Sequence, residues 1–430
     1  MNFNRIVLYS VSFFSLYSYV PNIFVPSQIA FAVKIFFLCF SVFQLYILIG
    51  NSRLNLTPFV AYGVLIFHSF FVFVLIRSLL SSYGVTGFIY HYQVYLGYAP
   101  LFLSIYHLYK KGHVVFIQKY ILYVFYLICI MLCGVIADGL LINFGNHFLS
   151  FIPNVDADGT IRANFLLESP TNVFLYVATG LVICFTNKYS KLVVNLFFFM
   201  SLLAAFFALS RLPLLLTILS ILLYLIYEKS YKSLILLLVP IFFLVPYFLQ
   251  NYASFFVRLF LLADLEEASN VSRFDTYKRF WSHIETSDLH VKIFGSGLGA
   301  SSSNLNDLFF NKYVGHFESS ILSIGVELGM FTMITFLIFA IWIVQRNLRY
   351  SFVVGVITLF YIINISLVPN LMGYEAPFLF LIIIFVTSKL YLNSGCKGFN
   401  HNAINMRYFY ETDASYRNQY VSVKGLPDHA

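Results

Sequence analysis

Charge is scarce in this sequence. Asp, Glu, Lys and Arg make up 10% of its 430 residues, against about 25% in a soluble globular domain. With 60% hydrophobic residues and a mean hydropathy of +0.83, that deficit excludes a soluble domain and indicates a polytopic membrane protein. Cysteine is also sparse. Cys39, Cys129, Cys133 and Cys184 lie in apolar runs and Cys396 lies in the polar tail. None forms a CxxC pair, so neither a disulfide framework nor a zinc site is expected. Clusters of basic residues are missing too, despite a formal net charge of +8. The lysines and arginines come in ones and twos between apolar runs. That spacing argues against nucleic acid as a partner and matches the positive-inside rule. There is no internal repeat. Arg5 precedes an apolar run without a small-residue cleavage site, which reads as a first span rather than a removed signal.

What the sequence does have is apolar runs of spanning length. A span needs about 20 apolar residues. The runs predict helices near 5–20, 28–49, 58–79, 93–109, 115–142, 172–187, 192–209, 212–227, 234–250, 320–344, 351–368 and 376–392. The stretch 192–227 holds a single charge, Arg211. As one helix it would run about 54 Å, against a hydrocarbon core of about 30 Å. It must therefore turn back, and Ser210-Arg211-Leu212-Pro213 is its only turn-like punctuation. Ser210 can cap a helix start, and proline is tolerated in a first turn. With this hairpin, Arg5, Arg53, Lys110/Lys111, Lys188/Lys191, Lys229/Lys232, Arg346/Arg349 and Lys389/Lys397 share one face. Both termini are then cytoplasmic. The domain plan is spans one to nine over 1–250, a large outward loop with short helices over 251–319, spans ten to twelve over 320–392, and a flexible cytoplasmic tail over 393–430. The expected fold class is an all-α polytopic membrane protein.

Several charged residues sit where burial is costly or where chemistry is natural. An arginine at the centre of a span costs about 2.5–3.5 kcal/mol or more. Arg211 at a hairpin tip is either a snorkelling side chain or an anion ligand reinforced by the N–H groups of a helix N-terminus. In "SRFDTYKRFW", Arg273 and Arg279 can bind phosphate oxygens bidentately. Arg273, Tyr277 and Trp281 share a helix face, which equally fits an interfacial anchor. His316 and Glu318 precede the tenth span. They read as a general base at the membrane surface, or as an interfacial histidine beside a carboxylate that complements a helix dipole. Glu327 lies inside that span and is either functional or paired. "GSGLG", 295–299, is a tight turn rather than a nucleotide loop. "DADG", 156–159, fits an exposed turn better than a divalent-ion site. Arg162 and Arg77 are second-tier phosphate candidates. Lys34 and Asp138 lie near outer helix ends and suit helix pairing.

Together these elements resemble the bacterial O-antigen polymerase and O-antigen ligase superfamily. The elements are Ser210-Arg211, Arg273, Trp281, Gly295/Gly297/Gly299, His316 and Glu327-Leu328-Gly329; Arg162 and Pro170 resemble an R…PN stretch before a span, with Thr171 standing between Pro170 and Asn172. The resemblance is strongest over 160–330. It implies a C-type membrane glycosyltransferase fold that needs no metal and no cofactor. It implies joining of glycans carried on undecaprenyl diphosphate at the periplasmic face of the bacterial inner membrane, among membrane lipids and with a separate chain-length regulator. Arg211 and Arg273 match the critical arginines, and His316 matches the loop histidine; Glu318 beside it is an alternative base. Arg279, Arg162 and Arg77 are further diphosphate candidates, and Glu327, Trp281, Gly295 and Gly297 are supporting positions. Polymerase is favoured over ligase by the aromatic-rich, idiosyncratic spans. A lipid-linked oligosaccharide flippase is the alternative outside enzymes; it fits about twelve spans, but predicts a charged central cavity and no large outward loop.

Overall fold

The computed structural model describes residues 2–16, 58–80, 98–143, 154–155, 161–163, 165–167, 169–229, 268–298, 300, 319–367 and 375–388, and single helical positions at 32, 36, 39, 43 and 46. The chain divides into units 1–388 and 389–430, and every described residue lies in the first. The expected tail and the expected ninth span at 234–250 lie outside the described residues.

The helices are α1 (Asn2–Leu16), α2 (Pro58–Leu80), α3 (Ala99–Lys110), α4 (Val114–Asn143), α5 (Val173–Thr186), α6 (Lys191–Phe207), α7 (Arg211–Tyr227), α8 (Ala268–Thr286), α9 (Leu289–Phe294), α10 (Ser320–Tyr350), α11 (Phe352–Leu367) and α12 (Glu375–Val386). Apolar runs of this length form helices because a helix satisfies its own backbone where water is absent. By length and apolarity alone, 61–80, 114–142 and 320–350 can each cross a membrane, and shorter apolar helices lie beside them. The expected all-α class holds, with one pair of two-residue strands beside the helices. Strands β1 (Asn154–Val155) and β2 (Ile161–Arg162) pair antiparallel, with Asn154 opposite Arg162. The "DADG" segment lies between them, outside the described residues.

The core forms around α5. Its sequence is apolar on all sides, as suits a helix with no solvent face, and every residue of it except Phe185 is buried. It packs against α4, α6, α7, α11 and α12. Tyr176 on α5 donates to the Leu16 carbonyl at 2.6 Å, which fixes the end of α1. Outer helices show the opposite pattern. Leu65, Ile66, Val72 and Ile76 on α2 are exposed, as are Phe331, Ile334, Ile338 and Ile341 on α10. Such apolar stripes fit a lipid surround rather than water.

Two expectations about helix ends change. First, the predicted span at 320–344 is a longer helix broken at Gly329, whose backbone (φ 86°, ψ 167°) is not helical. Residues 320–329 are all buried. The part beyond the break, 330–350, is about 31 Å long, enough by itself for the hydrocarbon core of about 30 Å. Glu327 therefore sits before that length begins rather than deep within it. Second, α6 and α7 form the expected hairpin, but Ser210 does not cap it with its side chain. Ser210 is extended at the N-cap position, with no side-chain cap bond, and its carbonyl accepts from Leu214 N–H at 3.1 Å. The reversal is made by Leu209 at φ 47°. A non-glycine residue there costs of order 1–3 kcal/mol and is held by its surroundings.

Candidate active site

Hydrogen bonds between element ends bring together the segments that carry Arg162, Asn172 and Arg211. Ala163 N–H donates to the Phe207 carbonyl at 3.3 Å. That bond ties the strand carrying Arg162 to the last turn of α6, four residues before Arg211. Phe165 N–H donates to Asp138 on α4 at 2.9 Å, so Asp138 anchors this segment in addition to lying near a helix end. The 3-10 turn Pro170–Asn172 follows, with Ser169 Oγ accepting from Thr171 N–H. This turn leads into α5 and also contacts α7. Asn172 Nδ2 donates to Glu375 Oε2 at 2.5 Å, and Tyr361 OH donates to the Ala376 carbonyl at 2.7 Å. Arg162, the R…PN segment, the Arg211 hairpin and the start of α12 are thereby joined by named contacts. Arg211 and Arg162 are both half-buried.

The glycine motifs meet in a second assembly. Ser296 N–H donates to the Val326 carbonyl at 2.8 Å, and Gly297 N–H to the Glu327 carbonyl at 3.0 Å. The break at Gly329 turns these helix carbonyls into acceptors for the loop. A Cβ on Gly295 would lie 2.3 Å from the Glu327 carbonyl oxygen, and one on Gly329 would lie 2.0 Å from the Ile293 carbonyl oxygen. Gly295 (φ 79°, ψ 174°) and Gly329 both occupy a backbone region open essentially only to glycine. The G-x-G and E-x-G motifs are thus two halves of one backbone-to-backbone contact. Arg77 completes it by donating through Nη2 to the Gly295 carbonyl. Beneath it Leu298 and Leu328 pack on Phe67 and Val74 of α2.

Helix α8 docks on the same assembly. Phe280 is fully buried and lies against Gly325, whose added Cβ would meet its ring at 2.9 Å. His283 Nε2 lies 3.2 Å from Ser296 Oγ, and burial lowers the His283 pKa from its ordinary value. Trp281 is exposed and Arg279 half-buried. Arg273 lies on the α8 backbone, and its side chain lies outside the described residues, as do His316, Glu318, Gly299 and Lys34. The helix after His316 and Glu318 begins at Ser320, and its N-cap Ser319 accepts from Leu322 N–H and donates to the Ser366 carbonyl at 2.7 Å.

An apolar cavity of about 420 Å³ opens between α2, α3, α10 and α12, lined by Phe67, Phe70, Phe102, Phe336, Phe339 and Phe380 among others. Among the described residues there is no cluster of His, Cys, Asp or Glu suited to a metal.

Glu375 and His283 carry contacts at positions that no sequence motif singled out, and Glu375 is the partner of Asn172 in the R…PN stretch. Glu375 had a readable signal, since it is the sole acidic residue between Glu327 and the tail. His283 had none, because its partner Ser296 lies in a different element.

Apolar helices with these packed ends define a helical membrane protein. Residues 196–337 match the family model described as O-antigen ligase, and that match supports membership of the O-antigen polymerase/ligase superfamily. At a coarse level the same match supports a polymerase- or ligase-type function and suggests a glycosyltransferase-like activity. The matched stretch runs from α6 through the break in α10 and contains Arg211, Arg273, Gly295, His316 and Glu327. No curated protein matches the chain.

Proposed function

We propose that this protein polymerises glycan repeat units carried on undecaprenyl diphosphate, at the periplasmic face of the bacterial inner membrane. The acceptor is the non-reducing sugar of one lipid-linked unit. Its hydroxyl attacks the anomeric carbon of the growing chain, the bond from that carbon to the diphosphate breaks, and lipid diphosphate leaves. The hydroxyl proton passes to His316 or Glu318. Arg211 and Arg273 stabilise the negative charge that develops on the leaving diphosphate, the task that fixed donors perform best in a water-poor site. Arg162 and Arg279 are further contacts to it. Arg77, engaged with the Gly295 carbonyl, holds the loop. A separate chain-length regulator is the expected partner, and no cofactor takes part in this scheme.

The observation that carries this reading is Arg211 at the first position of α7, within the family-matched stretch and joined to the Arg162 segment through Phe207. The apolar cavity supports a lipid-linked rather than a soluble substrate. In the test, purified protein receives undecaprenyl diphosphate-linked repeat units without nucleotide or metal. A ladder of longer lipid-linked products is expected. No product longer than the input, with vesicles still moving substrate across, would leave the flippase reading instead. The description of the matched family favours a second reading, transfer to lipid A–core; products capped on lipid A–core rather than a ladder would select it.

A further inference from the structure

Glu375 is completely buried and belongs to none of the motifs described above. It is the first residue of α12, where the unpaired N–H groups of a helix start favour a carboxylate. Its Oε2 accepts from Asn172 Nδ2 at 2.5 Å. Asn172 ends the 3-10 turn that contacts α7, the helix that Arg211 opens. Asn172 is itself buried, and its Oδ1 has no hydrogen-bond partner among the described residues. Its side chain is therefore held from the Nδ2 side. A buried carboxylate with such an acceptor beside it is an expensive way to join two helices. An apolar contact would do so at lower cost. What the polar pair adds is a fixed orientation, which an apolar contact lacks.

We infer that Glu375 is a positioning residue that acts through Asn172 to fix the turn packed against the Arg211 helix. The inference rests on the diphosphate role proposed for Arg211. The pair aligns that arginine with the leaving group and does not itself touch substrate. Misplacing a catalytic group by about 1 Å can lower a rate about 100-fold. A residue of this kind therefore affects kcat more than KM.

The test measures ladder formation from undecaprenyl diphosphate-linked repeat units by purified full-length variants, with kcat and KM separated. Glu375→Ala and Asn172→Ala are expected to lower kcat about 100-fold with KM nearly unchanged. Glu375→Gln retains an acceptor for Asn172 Nδ2 and should recover most of the rate. The exchanged pair Asn172→Asp with Glu375→Gln restores a carboxylate–amide bond in reverse and should also be active. Each protein is checked for a monodisperse peak in detergent. If the alanine variants do not accumulate, the glutamine and exchanged variants decide. A folded Glu375→Ala enzyme with unchanged kcat overturns the inference. So does a folded Glu375→Gln and a folded exchanged pair that are both inactive, because the carboxylate at 375 then has a role of its own. Arg211→Ala is run in parallel. Ladders from Arg211→Ala would sink the arginine's diphosphate role itself, an outcome separate from the Glu375 results.

Discussion

Gly295 and Gly329 each leave room only for the other's backbone. A Cβ on Gly295 would lie 2.6 Å from Gly329 N, and a Cβ on Gly329 would lie 2.6 Å from Gly295 N. One residue ends the short loop helix α9 and the other breaks α10. Their contact seats the loop after α9 on α10 and puts Ser296 and Gly297 N–H groups on helix carbonyls.

Gly329→Ala should detach the loop. The alanine backbone is disfavoured at this conformation by about 1–3 kcal/mol, before the clash with Ile293 is added. Thermal unfolding of the purified protein should shift down, and amides of 293–297 should exchange faster. Unchanged exchange there would remove the contact's importance.

Arg77→Ala should act in the same direction and more weakly, by about 1–3 kcal/mol for the lost charged donor. Arg77→Lys should recover only part, because lysine lacks the planar fork. Limited proteolysis within 268–298 reads the effect. An Arg77→Ala protein as resistant as wild type would exclude the role.

Arg211→Ala and Arg273→Ala should each lower chain growth by about 100-fold or more while membrane insertion stays intact. Lysine at either position should recover little. Gel ladders of surface polysaccharide, set against protein level in the membrane fraction, give the measurement. Full-length ladders from either alanine variant would exclude that arginine from catalysis.

Acidification should loosen α8 from Ser296. Burial holds the His283 pKa below its ordinary value of 6.5, so the unfolded chain binds the proton more readily than the folded one. The contribution is fully present above about pH 6.5 and is lost as pH falls through the folded value. Amide exchange of 283–297 should accelerate at pH 5.5 relative to pH 7.5, and His283→Gln should flatten that difference. An equal pH response in the variant would rule out His283 as its source.

Arg211 illustrates how much was legible without coordinates. Its apolar flanks and the length of 192–227 require a hairpin, and the structure turns the chain between Phe207 and Arg211. The same logic misjudged how the turn is made. Ser210 has the chemistry of a cap, but the reversal rests on Leu209 in a left-handed conformation, which side-chain propensity disfavours. Glu327 is a similar case. Its position in the apolar run put it inside the tenth span, and the break at Gly329, which apolar periodicity does not reveal, leaves it before the spanning length begins.

What the sequence determined by itself is the helical membrane class and the order of its elements. Long apolar runs can satisfy their backbone only internally, and sparse charge marks where they end. Tertiary structure alone decided which ends meet. Asn172 with Glu375, Arg77 with Gly295, and Gly295 with Gly329 are pairs remote in sequence. Their joining depends on how buried helices pack and on which backbone carbonyls a broken helix leaves to be paired. No local pattern of residues encodes either.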